Sequence, residues 1–206
     1  MSLPDRVRLP MSFDPAQLQR DIAPLAQDAW YLHFIPQNFE GDWSVVPLRS
    51  AAGETHPVRM IYSDPTACVF TDTPFLQQLP GLQSILGAFA CELRSVRLMR
   101  LTAGSSIKEH ADHDLDADRG MARLHIPLVT NSQVAFLLNG SEVGMKAGEV
   151  WYLRLSDPHS VTNLGQTDRI HLVLDAVVND WLRDAISRGA AAPPRNTSAS
   201  AALSSL

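Results

Sequence analysis

From residue 94 onward, apolar and polar residues alternate in short runs, and this period of two constrains the fold more than any other feature. Arg94–Leu101, Arg123–Val129, Val134–Leu138, Glu149–Leu155 and Arg169–Val177 each read as a strand with one apolar face. Asn139-Gly140 and Ala147-Gly148 supply turns between them. No helical pattern separates the runs, so the strands must close on one another as a sandwich or barrel. Upstream, Asp14 can cap a helix that opens at Pro15 and carries Leu18, Ile22 and Leu25, with Pro24 shortening it. Strand formers follow over 30–50, broken at Gly41. A helix pair spans 73–92, broken at Pro80-Gly81, with Leu82, Ile85, Leu86 and Phe89 on one stripe. The layout is mainly β with flanking helices, an N-terminal helical region before a jelly-roll core at about 94–178.

At 206 residues the chain suits one domain, taken as residues 1–187. The remainder, 188–206, is rich in Ala, Ser and Pro and reads as a disordered tail. A net charge of −5 offers no basic excess to meet phosphates, so nucleic acid is not an expected partner. Only Cys68 and Cys91 are present, without CxxC spacing, which argues against a disulfide framework or a thiolate metal site. The first eleven residues hold no long apolar run, and no stretch approaches the ~20 apolar residues of a membrane span. A cytoplasmic location without membrane contact is the expectation; the oligomeric state is left open.

The chemistry sits where polar residues interrupt the pattern. On Arg123–Val129, Leu124, Ile126 and Leu128 share one face and leave Arg123 and His125 on the other. On the last strand Arg169, His171 and Asp175 share a face in the same way. Arginines and histidines on an inward β face need partners. His110-Ala-Asp112 closes the run from Ile107 and places two side chains on one side of a strand. By itself this pair fits a solvated acidic loop, since residues 112–118 are strongly acidic. His113-Asp114 offers a second register. His159 follows the turn signal Asp157-Pro158 and is placed in a loop. Two imidazoles and one carboxylate bind iron(II) on one face and leave other positions open. Arg169, ten positions after His159, would then grip an anionic co-substrate beside the metal.

The segments RLMRL and AGSSIKEHADHDLD, then RLHIPLVTN, AGEVWYL and DRIHLVLD, resemble the aspartyl/asparaginyl β-hydroxylase family. They are similar in particular to its bacterial branch of proline cis-4-hydroxylase-like enzymes. EGDWSVVPLRS at 40–50 and YSDP at 62–65 add to the resemblance, which covers about 30–178. It implies a cupin-like double-stranded β-helix that uses iron(II), 2-oxoglutarate and O₂. It also implies His110, Asp112 and His159 as metal ligands, Arg169 on the distal carboxylate of 2-oxoglutarate, and Arg123 and His125 as further co-substrate contacts. Succinate and CO₂ would be released as a substrate C–H is hydroxylated.

Within that chemistry a free amino acid or a small derivative is the expected substrate, with proline first and an Asp or Asn side chain of a peptide or protein second. Arg97, on the strand leading to the motif, is the candidate for a substrate carboxylate, and Trp43 for a wall. Two alternatives remain: a cupin-like module that binds metal without turnover, and a three-histidine cupin enzyme using His110, His113 and His159.

Overall fold

The computed structural model describes residues 2–62 and 66–192. Thirteen strands run in chain order as β1 (Arg6–Ser12), β2 (Tyr31–Leu32), β3 (Phe39–Glu40), β4 (Trp43–Ala51), β5 (Phe70–Asp72), β6 (Leu93–Leu101), β7 (Ser106–His110), β8 (Met121–Val129), β9 (Val134–Leu138), β10 (Ser141–Glu142), β11 (Glu149–Leu153), β12 (His159–Asn163) and β13 (Arg169–Val177). The helices are α1 (Pro15–Ile22), α2 (Pro57–Ile61), α3 (Pro74–Gln77), α4 (Pro80–Leu86) and α5 (Asp180–Ala191). The strands form two sheets. The larger is ordered β1-β11-β8-β13-β6-β4-β2, with β5 on β4, and the smaller β10-β9-β12-β7-β3. This is the expected jelly roll of two facing sheets with helices outside it.

Period-two alternation divides the core in two. On the large sheet, Val46 and Leu48 of β4, Val96 and Leu98 of β6, Leu124, Ile126 and Leu128 of β8, and Leu172 and Leu174 of β13 all face outward. They meet Leu18 of α1, Leu76 of α3, Leu82 and Ile85 of α4, and Leu182 and Ile186 of α5. The intervening residues face the small sheet. There Val45, Met99, Leu101 and Val173 meet Ile107, Phe136, Leu138 and Val161. The helices α1, α3, α4 and α5 thus cover the outer face of the large sheet, while α2 sends Ile61 into the inner cluster, where the facing sheets enclose a cavity.

The first helical expectation holds at its punctuation. Asp14 caps α1 by accepting from the Ala16 amide at 2.9 Å, and the helix stops at Ile22, before Pro24. The helix pair is present, but its break lies at residues 78–79, because Pro80 opens α4 instead of interrupting it, and α4 ends at Leu86, which leaves Phe89 outside the helix. At Gly41 the backbone has φ +82°, and a Cβ there would collide with Ser105. The Ser105 hydroxyl accepts from the Asp42 amide at 2.9 Å, which docks the β3–β4 turn beside β7, the strand that ends in His110.

Three further expectations change. β1 was not anticipated: it is an edge strand paired with β11, and the register shift between Arg8 and Ser12 accommodates Pro10. His159 is not in a loop but opens β12, and it is 4% exposed. The boundary at residue 188 falls inside α5, which starts on an Asn179 cap and runs to Ala191. The rest of the expected disordered tail, 193–206, and residues 63–65 of the YSDP segment lie outside the described residues. Both cysteines are unpaired. Among the described residues no helix is long and apolar enough to cross a membrane.

Candidate metal centre

His110 ends β7 and His159 begins β12, and the antiparallel register sets the two directly opposite each other. Their ring centroids are 4.2 Å apart. Asp112 lies just past β7, held by its amide, which donates to the Leu155 carbonyl at 2.7 Å. Ligand atoms of His110, Asp112 and His159 all fall within 4.8 Å of one another. Among the described residues this is the one cluster of at least three such side chains, and His113 is not part of it. His113 lines the same cavity but is exposed. The three-histidine alternative therefore lacks its third ligand.

The donor set fits a metal ion. His110 Nδ1 lies 2.7 Å from the Lys108 carbonyl, and His159 Nδ1 lies 3.0 Å from the Asp157 carbonyl. A carbonyl only accepts, so each ring donates through Nδ1 and keeps a bare Nε2 for a cation. Burial pushes His159 down to about 4, with the neighbouring His110 adding to the effect. It is therefore neutral near pH 7, the form that binds metals.

Behind the cluster runs a buried chain of charges. Arg123 donates to Asp112 Oδ2 at 2.6 Å and to Asp175 at 2.6 and 3.0 Å. Arg97 also donates to Asp175. Register explains the grouping, because Arg123 and Asp175 are directly opposite on β8 and β13, and Arg97 on β6 faces Val173. Burial opposes the charge on Arg123, but Asp175 and Asp112 outweigh it and raise its pKa above the ordinary value. For Arg97 burial dominates, and its pKa is lowered despite Asp175.

Arg169 is different. It is 2% exposed, burial alone lowers its pKa to about 9, and among the described residues no carboxylate lies within salt-bridge distance. Its Nη2 donates to His171 Nδ1 at 2.9 Å, while Nε has no partner. Among the described residues His125 Nε2 and Trp43 Nε1 are likewise buried without partners. All three orphaned atoms belong to residues lining one cavity of about 300 Å³, together with His110, Asp112, His159, Arg97 and Arg123. Buried polar atoms without partners are costly, so a cavity carrying three of them on its walls is built for a polar guest.

His110, Asp112, His159, Arg169, Arg123, His125, Arg97 and Trp43 thus all reach this cavity, whereas His171 does not line it. The sequence names no role for His33, and places Asp175 on the inward face of its strand without a site role. His33 stacks on Trp43 with centroids 3.6 Å apart and planes 5° from parallel, and its ring also stacks with Phe34 at 4.8 Å. The aromatic density of residues 30–43 was its only signal. Asp175 was visible on the inward face of β13, but its two arginine partners depend on strand order.

The sequence profile of aspartyl/asparaginyl β-hydroxylases matches residues 27–178. L-Proline cis-4-hydroxylase of Rhizobium meliloti (strain 1021) is 29% identical over 167 residues, covering 80% of this chain and 58% of that enzyme. L-Proline cis-3-hydroxylase 2 of a Streptomyces species is 26% identical over 171 residues, covering 77% of this chain and 58% of its own. This chain therefore spans 58% of the length of these curated relatives. Solved structures share the fold, two of them as follows. A 2OG-Fe(II) oxygenase family oxidoreductase from Burkholderia pseudomallei has TM-score 0.52 and 17% identity, with 84% of this chain and 85% of that one covered. A Pseudomonas putida prolyl-4-hydroxylase has TM-score 0.50 and 14% identity, with 85% and 93% covered. The profile match takes in the whole His-Asp-His cluster, the charge chain behind it and Arg169, and on that match the protein belongs to the aspartyl/asparaginyl β-hydroxylase family.

Proposed function

We propose that the protein is an iron(II)- and 2-oxoglutarate-dependent dioxygenase that hydroxylates a C–H bond of a free amino acid or small derivative, with proline the first candidate. One observation carries the reading: a His-Asp-His cluster suited to a metal ion shares its cavity with a buried arginine that, among the described residues, no carboxylate neutralises. A cavity that only bound metal would have no use for that second charge. Three curated relatives, named as L-proline cis-4- and cis-3-hydroxylases, support the choice of substrate.

In this reading His110 and His159 donate Nε2 and Asp112 donates the carboxylate oxygen that Arg123 leaves available. Bound iron(II) would supply the centre at which O₂ and 2-oxoglutarate become succinate and CO₂ while the substrate gains a hydroxyl group. Arg169 receives the distal carboxylate of 2-oxoglutarate, for which its fork geometry and buried position suit it. His125 supplies a further polar contact from the neighbouring strand. Arg123, committed to Asp112 and Asp175, orients the metal carboxylate and sets the field around the co-substrate. Arg97 presents positive charge to the substrate carboxylate, and Trp43, backed by the stacked His33, forms a flat wall. The apolar lining from Ile61, Met99, Leu115 and Val161 excludes water from the reacting C–H.

The experiment is a panel of free amino acids, proline included, incubated with the protein, iron(II), ascorbate and 2-oxoglutarate and read by mass spectrometry. The expected result is one member gaining a single oxygen. A panel extended to Asp- and Asn-containing peptides in which only a peptide gains oxygen would replace the substrate assignment.

A further inference from the structure

His171 does not line the metal cavity. It sits behind it, 2% exposed, in the wall of a second cavity with Phe136, Asn131 and Lys146. Yet it touches both residues assigned above to the co-substrate. Arg169 Nη2 is 2.9 Å from its Nδ1, and His125 Nδ1 is 3.3 Å from the same atom. A guanidinium can only donate, so His171 Nδ1 must be the bare, accepting nitrogen. His125 can then bond to it only by donating Nδ1–H. The remaining nitrogen of His125, Nε2, is the one buried without a partner on the cavity side. A single atom of His171 therefore fixes the direction of the Arg169 fork and the tautomer of His125.

We propose that His171 is a positioning residue for the co-substrate pocket, acting through Nδ1 as the shared acceptor that orients Arg169 and holds His125 in its Nδ1–H form. The inference rests on the co-substrate reading of Arg169 and His125. It accounts for a buried histidine that the proposed chemistry otherwise leaves idle. It also accounts for the repetition of Arg-x-His on two adjacent strands, Arg123-Leu-His125 and Arg169-Ile-His171. In each pair the i and i+2 side chains share the inward face. The shared acceptor is neutral, because burial and the adjacent Arg169 hold His171 well below the ordinary histidine value.

Asparagine places its amide oxygen close to where histidine carries Nδ1, whereas glutamine reaches the Nε2 position. The manganese(II)-loaded chain, titrated with 2-oxoglutarate by calorimetry, separates them. H171N is expected to bind within a few-fold of the unmodified chain. H171Q and H171L are expected to weaken binding about tenfold or more, the scale of one charge-assisted hydrogen bond. Equal affinities for H171N and H171Q would overturn the proposal. If the unmodified chain binds no 2-oxoglutarate at all, the reading of the pocket falls first and this inference with it. Long-range proton–nitrogen NMR of the metal-free unmodified chain gives an answer independent of any variant's folding. His125 is expected as the Nδ1–H tautomer, and an Nε2–H tautomer there would contradict the shared-acceptor geometry.

Discussion

Arg123 reaches Asp112 at 2.6 Å with one nitrogen of the same guanidinium that holds Asp175 with its other two. The proposed metal carboxylate is therefore oriented by a side chain that is itself anchored on the neighbouring strand. Removing the clamp with Arg123→Met leaves Asp112 free to turn and is expected to weaken metal binding by roughly 10–100-fold, the usual cost of losing a partner that orients a ligand. Titration of manganese(II) into the chain and the variant checks this. Affinity unchanged within twofold would show that Asp112 is held by its backbone alone.

Asp175, 2% exposed, is the shared partner of Arg97 and Arg123. Asp175→Asn would leave two buried guanidinium groups short of their counter-charge. The expected destabilisation is about 3–5 kcal/mol, read from urea unfolding. A loss below about 1 kcal/mol would mean that the cavity hydrates the arginines well enough to replace the carboxylate.

Metal-free stability should depend on pH through His125 and His171, 4% and 2% exposed. Burial, then Arg169, keeps both well below the ordinary histidine value. The unfolded chain binds protons first as pH falls through about 6.5, while the folded chain does not. Their contribution to stability is therefore complete above that pH and lost progressively below it, by up to about 1.4 kcal/mol per pH unit for each ring. Denaturant midpoints at pH 7.5, 6.5 and 5.5 check the sign. The His125→Asn, His171→Asn double variant should show a flatter profile, and an equally steep one would place the effect elsewhere.

Arg169→Leu removes the unneutralised charge from the cavity and should weaken 2-oxoglutarate binding by about 1.5–3 kcal/mol or more. Arg169→Lys should recover little of it, because a point charge cannot reproduce the fork that spans His171 and a carboxylate. Full recovery by lysine would reduce the role of Arg169 to bulk charge.

The alternation on β8 and β13 made their inward and outward faces legible, and with them Arg123, His125, Arg169 and His171. Local punctuation did the same for the start of α1, while Pro80, read as a break, proved to be the first residue of α4. What escaped depends on neighbours distant in sequence. Asp157-Pro158 marks a turn, but β12 begins directly after it because β7 and β9 lie on either side to pair with it. The residues of β1 alternate as Val7, Leu9 and Met11, yet Pro10 obscures a strand that is tolerated only at a sheet edge. The Arg123–Asp112 clamp could not be read from spacing, since it forms only once β8 is seated next to β13 and the segment after β7 folds over it. Residue 188 looked like an end because composition changes there, but the Asn179 cap carries α5 past it.

The central claim is that the His110–Asp112–His159 cluster and Arg169 work as one oxidative site. Succinate formed from 2-oxoglutarate in air, with iron(II) and ascorbate and with proline and other free amino acids supplied in turn, tests it most directly. The account predicts succinate that depends on iron(II), rises with one of the supplied amino acids and is lost in His159→Ala. No succinate above background with any of them, or undiminished succinate in His159→Ala, would contradict it.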